Sequence, residues 1–227
     1  MKYEIIGSVM PLLQLQLGKE EVIACQSGSM KWMDEAIEMQ TKMAGGLGGF
    51  LKRAVVGESG FLNYYRAKRD GARIALGHTY PGKIIPISVG KHSIVCQKRA
   101  FLASEAGVDL EITFQKRLGT GLFGGEGFIM QKLKGEGMAF VEIDGEVAEV
   151  ELQRGESIKA ETGAVAMFED TVSMSVETVK GVSNLLFGGE GLFLTLLTGP
   201  GKVWIQTLSI SSLAAEIYPY LPIPKSK

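Results

Sequence analysis

The sequence predicts an all-β fold built from three tandem repeats, and three observations carry that prediction. First, one phrase returns three times: a glycine-flanked glutamate, an apolar strand, a four-residue turn ending in glycine, and a second apolar strand. It reads Gly57-Glu58-Ser59-Gly60 before FLNYYRA-KRDG-ARIALG. It recurs as Gly125-Glu126-Gly127 before FIMQKL-KGEG-MAFVEI, and as Gly189-Glu190-Gly191 before LFLTLL-TGPG-KVWIQTL. The glutamates lie 68 and 64 residues apart, so one unit of that length accounts for nearly the whole chain. Second, the apolar runs are short and rich in Val, Ile, Phe and Tyr, with turn signals about every eight to twelve residues, the spacing of a sandwich or barrel. Third, glycine is abundant, 30 of 227 residues, roughly double the usual ~7%, and much of it sits at the turns.

The elements run in order along the chain. Residues 1–16 read as an N-terminal strand, 17–87 as β repeat 1, 88–151 as β repeat 2, and 152–210 as β repeat 3. Residues 211–227 read as a short C-terminal helix and a proline-rich tail. Each repeat opens with an apolar residue, a turn and a strand: Leu17-GKE-EVIAC, Val89-GKH-SIVCQ and Leu152-QRGE-SIKAE. A second apolar piece comes next (SMKWM, AFLAS, AVAMF), then a glycine-rich apolar loop, then the glutamate and a hairpin. From opening residue to the glycine before the glutamate the distances are 40, 36 and 37 residues. The hairpin turns Lys68 to Gly71, Lys134 to Gly137 and Thr198 to Gly201 each end in glycine, which takes positive φ without strain. Val203 and Ile205 alternate with Trp204 in an apolar run, so that strand reads as buried on both faces. For the helix, Ser212 is the expected N-cap and Glu216 the expected dipole partner; Pro219, Pro222 and Pro224 keep the tail extended. One module of this size leaves open sheet edges. Three modules around a pseudo-threefold axis would pair or shield them.

Composition excludes several function classes. Net charge is -1 and apolar residues make up 45% of the chain, which argues against a surface built wholly for nucleic acid. Charge is uneven, however. Between Lys52 and Arg73 six bases (Lys52, Arg53, Arg66, Lys68, Arg69, Arg73) face two acids (Glu58, Asp70), whereas Glu142 to Glu151 holds five acids and no base. Cys25 and Cys96 lie in strand-like runs at similar points of their repeats, the pattern of buried inert thiols. The N-terminus lacks a signal peptide's apolar core and cleavage site, and no apolar run reaches the ~20 residues that span a bilayer. A cytoplasmic protein, with a place at the inner membrane face open to it, is the expectation.

The order of these motifs resembles a known family. The triple Gly-Glu phrase, Gly28-Ser29-Met30 before Trp32-Met33, the Phe101-Leu102-Ala103 piece and the run from Gly199 to Thr207 are similar to the mitochondrial biogenesis (altered inheritance of mitochondria) family, from about Tyr3 to Leu213. The resemblance implies a fold like the tryptophan RNA-binding attenuation protein (TRAP), a short double-stranded β-helix, here triplicated. It also implies a link to inner-membrane organisation in mitochondrial members, while prokaryotic members mostly have no assigned activity. Where many relatives carry a Val-Asp pair in the third repeat, this chain has Lys159-Ala160, so a role tied to that aspartate does not carry over.

Candidate chemistry is sparse. Glu58, Glu126 and Glu190 form a carboxylate ring for a hard cation only if an axis gathers them; otherwise they are three equivalent turn residues. His78 and His92 make no ligand pattern with Cys, Asp or Glu. The Gly45 to Gly49 cluster lacks the Lys-Ser/Thr of a phosphate loop. No catalytic constellation is found; no enzyme activity, cofactor or metal is expected. The glycine-rich loops MAGGLGGFLKRAVV (Met43 to Val56), LGTGLFGG (Leu118 to Gly125) and SNLLFGG (Ser183 to Gly189) stand out. They present Leu47, Phe50, Leu51, Leu122, Phe123, Leu186 and Phe187, with Lys52 and Arg53 beside the first. Two readings are open: a contact surface for an anionic membrane or a membrane-associated protein, or caps folded onto the core. The function expected first is a non-enzymatic scaffold or adaptor, with homo-oligomers open to it. The alternative is small-ligand or RNA binding by analogy with the attenuation protein, for which only Tyr64, Tyr65, Arg66, Lys68 and Arg69 combine aromatics with bases; nucleic acid is the less expected partner.

Overall fold

The structure is a computed structural model that describes residues 1–43, 61–77, 80–97, 100–116, 128–178 and 193–221. Within these the chain is all-β except for a short helix and two 3-10 turns. A first strand, β1 (Lys2–Ile6), precedes three runs of six. The first run is β2 (Leu12–Leu17), β3 (Val22–Gln26), β4 (Met30–Met33), β5 (Ile37–Met43), β6 (Phe61–Ala67) and β7 (Ala72–Gly77). The second is β8 (Gly82–Val89), β9 (Ile94–Gln97), β10 (Phe101–Glu105), β11 (Val108–Lys116), β12 (Phe128–Gly135) and β13 (Gly137–Asp144). The third is β14 (Val147–Leu152), β15 (Ser157–Glu161), β16 (Val165–Glu169), β17 (Ser173–Thr178), β18 (Phe193–Thr198) and β19 (Gly201–Gln206). Helix α1 (Ile210–Ile217) and a 3-10 turn (Tyr218–Tyr220) come last.

Among the described residues all pairing is antiparallel, and one scheme recurs in every run. The sixth strand lies between the first and third. The fifth lies between the second and fourth. Each run thus folds into two three-stranded halves, and successive runs share sheets. Strand β3 of the first run pairs with β10 of the second, giving the sheet β5-β6-β3-β10-β13-β8. Strand β9 pairs with β16 in the same way, giving β11-β12-β9-β16-β19-β14. The leftover halves form the sheets β1-β2-β7-β4 and β15-β18-β17. Pro86 sits in β8, at a sheet edge, where its missing N–H is tolerated.

The expected hairpins are not hairpins. Lys68 to Gly71 joins β6 to β7, and these strands belong to different sheets; so do β12 and β13, and β18 and β19. A strand has two edges, and the fifth and sixth strands of each run already use both on other partners. The turns do reverse the chain, and Gly71, Gly137 and Gly201 do take positive φ of 71°, 139° and 138°. The expected boundaries at 16/17, 87/88 and 151/152 fall inside β2, β8 and β14. Turns mark the end of each opening strand, whereas its membership in a run is set by pairing with a strand about sixty residues away. The helix begins earlier than expected: Ser209, not Ser212, is the N-cap, its Oγ accepting from Ser212 N–H at 3.1 Å. Glu216 lies in the last turn, at the negative end of the dipole, and does not complement it.

Three apolar clusters form the core, each centred on one run's two halves. Leu13, Leu15 and Ile74 meet Ile23, Cys25 and Tyr65 in the first. Ile87, Val141 and Ile143 meet Ile94, Cys96 and Leu133 in the second. Val165 and Val203 meet Val176 and Leu197 in the third. Trp204 faces the second cluster and its neighbour Val203 the third, so β19 is buried on both sides as expected. Each such large side chain contributes about 1.5–3 kcal/mol.

Candidate interaction surface

The apolar loops are connections between the fourth and fifth strands of each run. Segment 44–60 leaves and returns on the pair Met43↔Phe61, 117–127 on Lys116↔Phe128, and 179–192 on Thr178↔Phe193. All three are therefore anchored at one point of the pairing scheme, each returning on a phenylalanine. Phe128 is buried there, edge-on to Phe114 with centroids 6.2 Å apart. Leu47, Phe50, Leu51, Lys52, Arg53, Leu122, Phe123, Leu186 and Phe187 themselves lie outside the described residues, as do Glu58, Glu126, Glu190 and His78.

The basic stretch of the first run is laced with carboxylates that lie far away in sequence. Lys68 pairs with Glu38 at 2.7 Å and Arg66 approaches Glu20 at 3.9 Å. Arg69 and Arg73 share Asp34 at 3.5 and 3.6 Å. Exposed pairs of this kind add ~0–1 kcal/mol each, yet with Asp70 their carboxylates balance the four described bases Arg66, Lys68, Arg69 and Arg73. Tyr65 is buried in the first core cluster, so it cannot stack on a base, and the aromatic-basic RNA reading loses that residue. Arg73 also lies over the Trp32 ring, 5.5 Å from its centroid, within cation–π range.

Other described groups were not singled out by sequence reasoning. Val9 and Met10 are exposed on the turn between β1 and β2. Gly82 N–H donates to Val9 O at 2.9 Å and Lys83 Nζ to Ser8 O at 3.3 Å, which pins this apolar tip beside a cation. Tyr218, Tyr220 and Leu221 are exposed after α1. On β13, burial pushes the Glu142 carboxyl up to about 8, helped by the nearby Asp144 charge and opposed by Lys31. Burial likewise pushes Asp144 up to about 6, against a hydrogen bond from Ile210 N–H. These two belong to the acidic stretch, where the sequence shows the charge and hides the burial.

The thiols are buried. Burial pushes Cys25 up to about 11, opposed by hydrogen bonds with Ser29 and Tyr65, so its reactive thiolate is suppressed. Among the described residues no three His, Cys, Asp or Glu side chains could hold a metal ion, and no helix is long and apolar enough to cross a membrane.

The family model described as mitochondrial biogenesis AIM24 matches residues 3–208. The chain belongs to this family. A curated relative, an uncharacterised protein of Streptococcus pyogenes serotype M6, is 28% identical over 221 residues, covering 93% of this chain and 87% of that protein. The crystal structure of a Streptococcus pyogenes protein superposes with a TM-score of 0.77 at 22% identity, covering 97% of this chain and 99% of that one. This AIM24 family member therefore shares its all-β fold with a solved protein over nearly its full length.

Proposed function

We propose that this AIM24 family member is a non-enzymatic scaffold or adaptor. Its three apolar connections serve as a contact surface at an anionic membrane face or on a membrane-associated complex. The observation that carries the reading is the shared anchorage of the connections: each leaves the fourth strand and returns on the fifth. The three segments whose sequences carry the Leu and Phe residues are thus attached at equivalent points of the pairing scheme. The exposed tip Val9-Met10 adds a fourth apolar group; the Lys83 ammonium beside it is paired with Glu146 at 3.0 Å, so the tip contributes apolar contact rather than charge. We further read the three runs as tandem TRAP-like repeats, since one pairing scheme serves all of them. A pseudo-threefold axis within the chain would also require the first and third runs to pair. Among the described residues no strand pairing joins 12–77 to 147–206, and the axis is not part of this proposal.

The test is co-sedimentation with anionic and neutral liposomes. Replacing Phe50, Phe123 and Phe187 together with Ser should abolish attachment to anionic vesicles while leaving thermal stability nearly unchanged. Replacing Lys52 and Arg53 with Gln should weaken only the salt-sensitive part. A triple variant that unfolds while its folded fraction still binds would show the loops to be core caps and sink the proposal. Salt-sensitive binding of single-stranded RNA without lipid binding would favour the alternative function.

A further inference from the structure

Each run has four strands with an edge free of its own half, the first to the fourth; the fourth is a sheet edge in every run, and the first is one except at β2, which β1 covers. The outer edges of β5 and β8 bound one six-stranded sheet, and those of β11 and β14 bound the other. Two edges break the pattern. Strand β10 pairs with β3, and β16 pairs with β9; β4 is the first-run equivalent of β10 and β16, and β15 the third-run equivalent of β3 and β9. Among the described residues neither β4 nor β15 pairs at that edge. The chain thus carries one half of its own junction at each end of its sheet series.

The registers make the equivalence residue-specific. A bulge falls at the same place in all three third strands, between Met30 and Trp32, Phe101 and Ala103, and Val165 and Met167. The formed junctions pair Ala103↔Cys25, Ser104↔Ala24 and Glu105↔Ile23, then Met167↔Cys96, Phe168↔Val95 and Glu169↔Ile94. Strand β15 meets β18 as β9 meets β12, with Ile158↔Leu197 matching Ile94↔Leu133. Carried over from β9, this register would pair Trp32↔Ala160, Met33↔Lys159 and Asp34↔Ile158 at a third junction; in the first run β3 meets β6 two residues farther from the turn, at Ile23↔Tyr65.

Burial separates formed from unformed junctions. Ala103, Met167, Cys25 and Cys96 are fully buried, whereas Trp32 is 37% exposed and Ala160 half-buried. Ile23 and Ile94 are buried while Ile158 is only half-buried. Charge also fits: in that register the bulge residue Lys31 would come beside Glu161 of the second copy. The Lys159 ammonium is already paired with Glu177 at 2.8 Å, which leaves its methylene stem for Met33.

We infer that β4 of one copy pairs antiparallel with β15 of a second copy, continuing the sheet series from chain to chain. The partner is this same chain, and the interface is head-to-tail, so it closes into a ring or propagates. The inference stands on strand pairing and burial and does not depend on membrane attachment.

The test uses full-length chains in which Met33→Cys and Lys159→Cys are placed separately or together; residues facing each other across a ladder have Cβ atoms within disulfide reach. Mixing the two single variants under mild oxidation should give a covalent dimer on a non-reducing gel, and the double variant should give linked multimers. As a second arm, Lys31→Glu or Glu161→Lys should each weaken assembly in sedimentation at least tenfold, with the charge-swapped double variant restoring it. In a Trp204→Phe background, Trp32 emission should shift to the blue as concentration rises. A double cysteine variant that links only within one chain would mean that the fold closes on itself. That result, or a single-chain mass at every concentration with no cross-linking, would overturn the inference.

Discussion

Trp204 shows what a single residue contributes in this fold. It is 6% exposed, and its Nε1 donor has no hydrogen-bond partner among the described residues. Truncation to Ala should cost on the order of 3–5 kcal/mol through lost burial and the cavity left behind. Trp204→Phe should cost clearly less, about 1.5 kcal/mol or below, because it also removes the unpaired donor. Chemical denaturation checks both, and equal losses would contradict this account of the site. Glu142 and Asp144 act in the opposite sense. Both carboxyls are raised in the folded state, to about 8 and about 6, so the fold binds protons that the unfolded chain releases. Their contribution is most favourable below the unfolded carboxylate range. It weakens as pH climbs from about 4 towards 8, for Glu142 by on the order of 1 kcal/mol per pKa unit and for Asp144 by less, because solvent screens that more exposed carboxylate. Glu142→Gln should flatten that decline, and stability measured at pH 5 and pH 8 decides; an unchanged slope would contradict the burial of this carboxyl. The alternation around Trp204 was legible because it is local. The burial of Glu142 was not, since it comes from neighbours that no window of sequence contains.

At the scale of elements, a carboxylate at or beside the end of each third strand clamps the start of the sixth. Asp34 Oδ2 accepts from Arg73 N–H at 3.0 Å, Glu105 Oε2 from Met138 N–H at 2.8 Å, and Glu169 Oε2 from Lys202 N–H at 3.0 Å. These clamps come just after the turns in which Gly71, Gly137 and Gly201 hold positive φ. At Gly201 an added Cβ would lie 2.5 Å from Thr171 Oγ1, so glycine there meets a steric as well as a conformational need. Glu105→Gln keeps the acceptor and loses its charge, and should cost less than Glu105→Ala, which orphans the Met138 N–H for about 1–3 kcal/mol. Denaturant midpoints of the two variants test the clamp, and indistinguishable values would remove it from the account. At the helix, Ser209→Ala should cost about 1 kcal/mol, whereas Ser212→Ala leaves the cap oxygen in place; the reverse order would restore the N-cap read from sequence. Glycines, turns and strand runs were readable because each is written within a few residues. Sheet membership was not, because β6 and β7 look like a hairpin until their partners β3, β5, β2 and β4 are known. The same limit hid the carboxylates that neutralise the basic stretch, since Glu20, Asp34 and Glu38 lie outside it.

For the whole molecule, one pairing scheme is used three times among the described strands, and sheets are the property of neighbouring runs rather than of single ones. Such sharing makes each run depend on the next for cover of an edge. Two edges in one chain, β4 and β15, are left without that cover among the described residues. Hydrogen exchange of the full-length protein over a dilution series tests this most directly, read at the backbone amides of 30–34 and 157–161. At high concentration those amides should be protected to the level of their equivalents in β10 and β9, and they should exchange faster on dilution while β10 and β9 stay protected. Exchange at 30–34 and 157–161 that is independent of concentration would contradict the account.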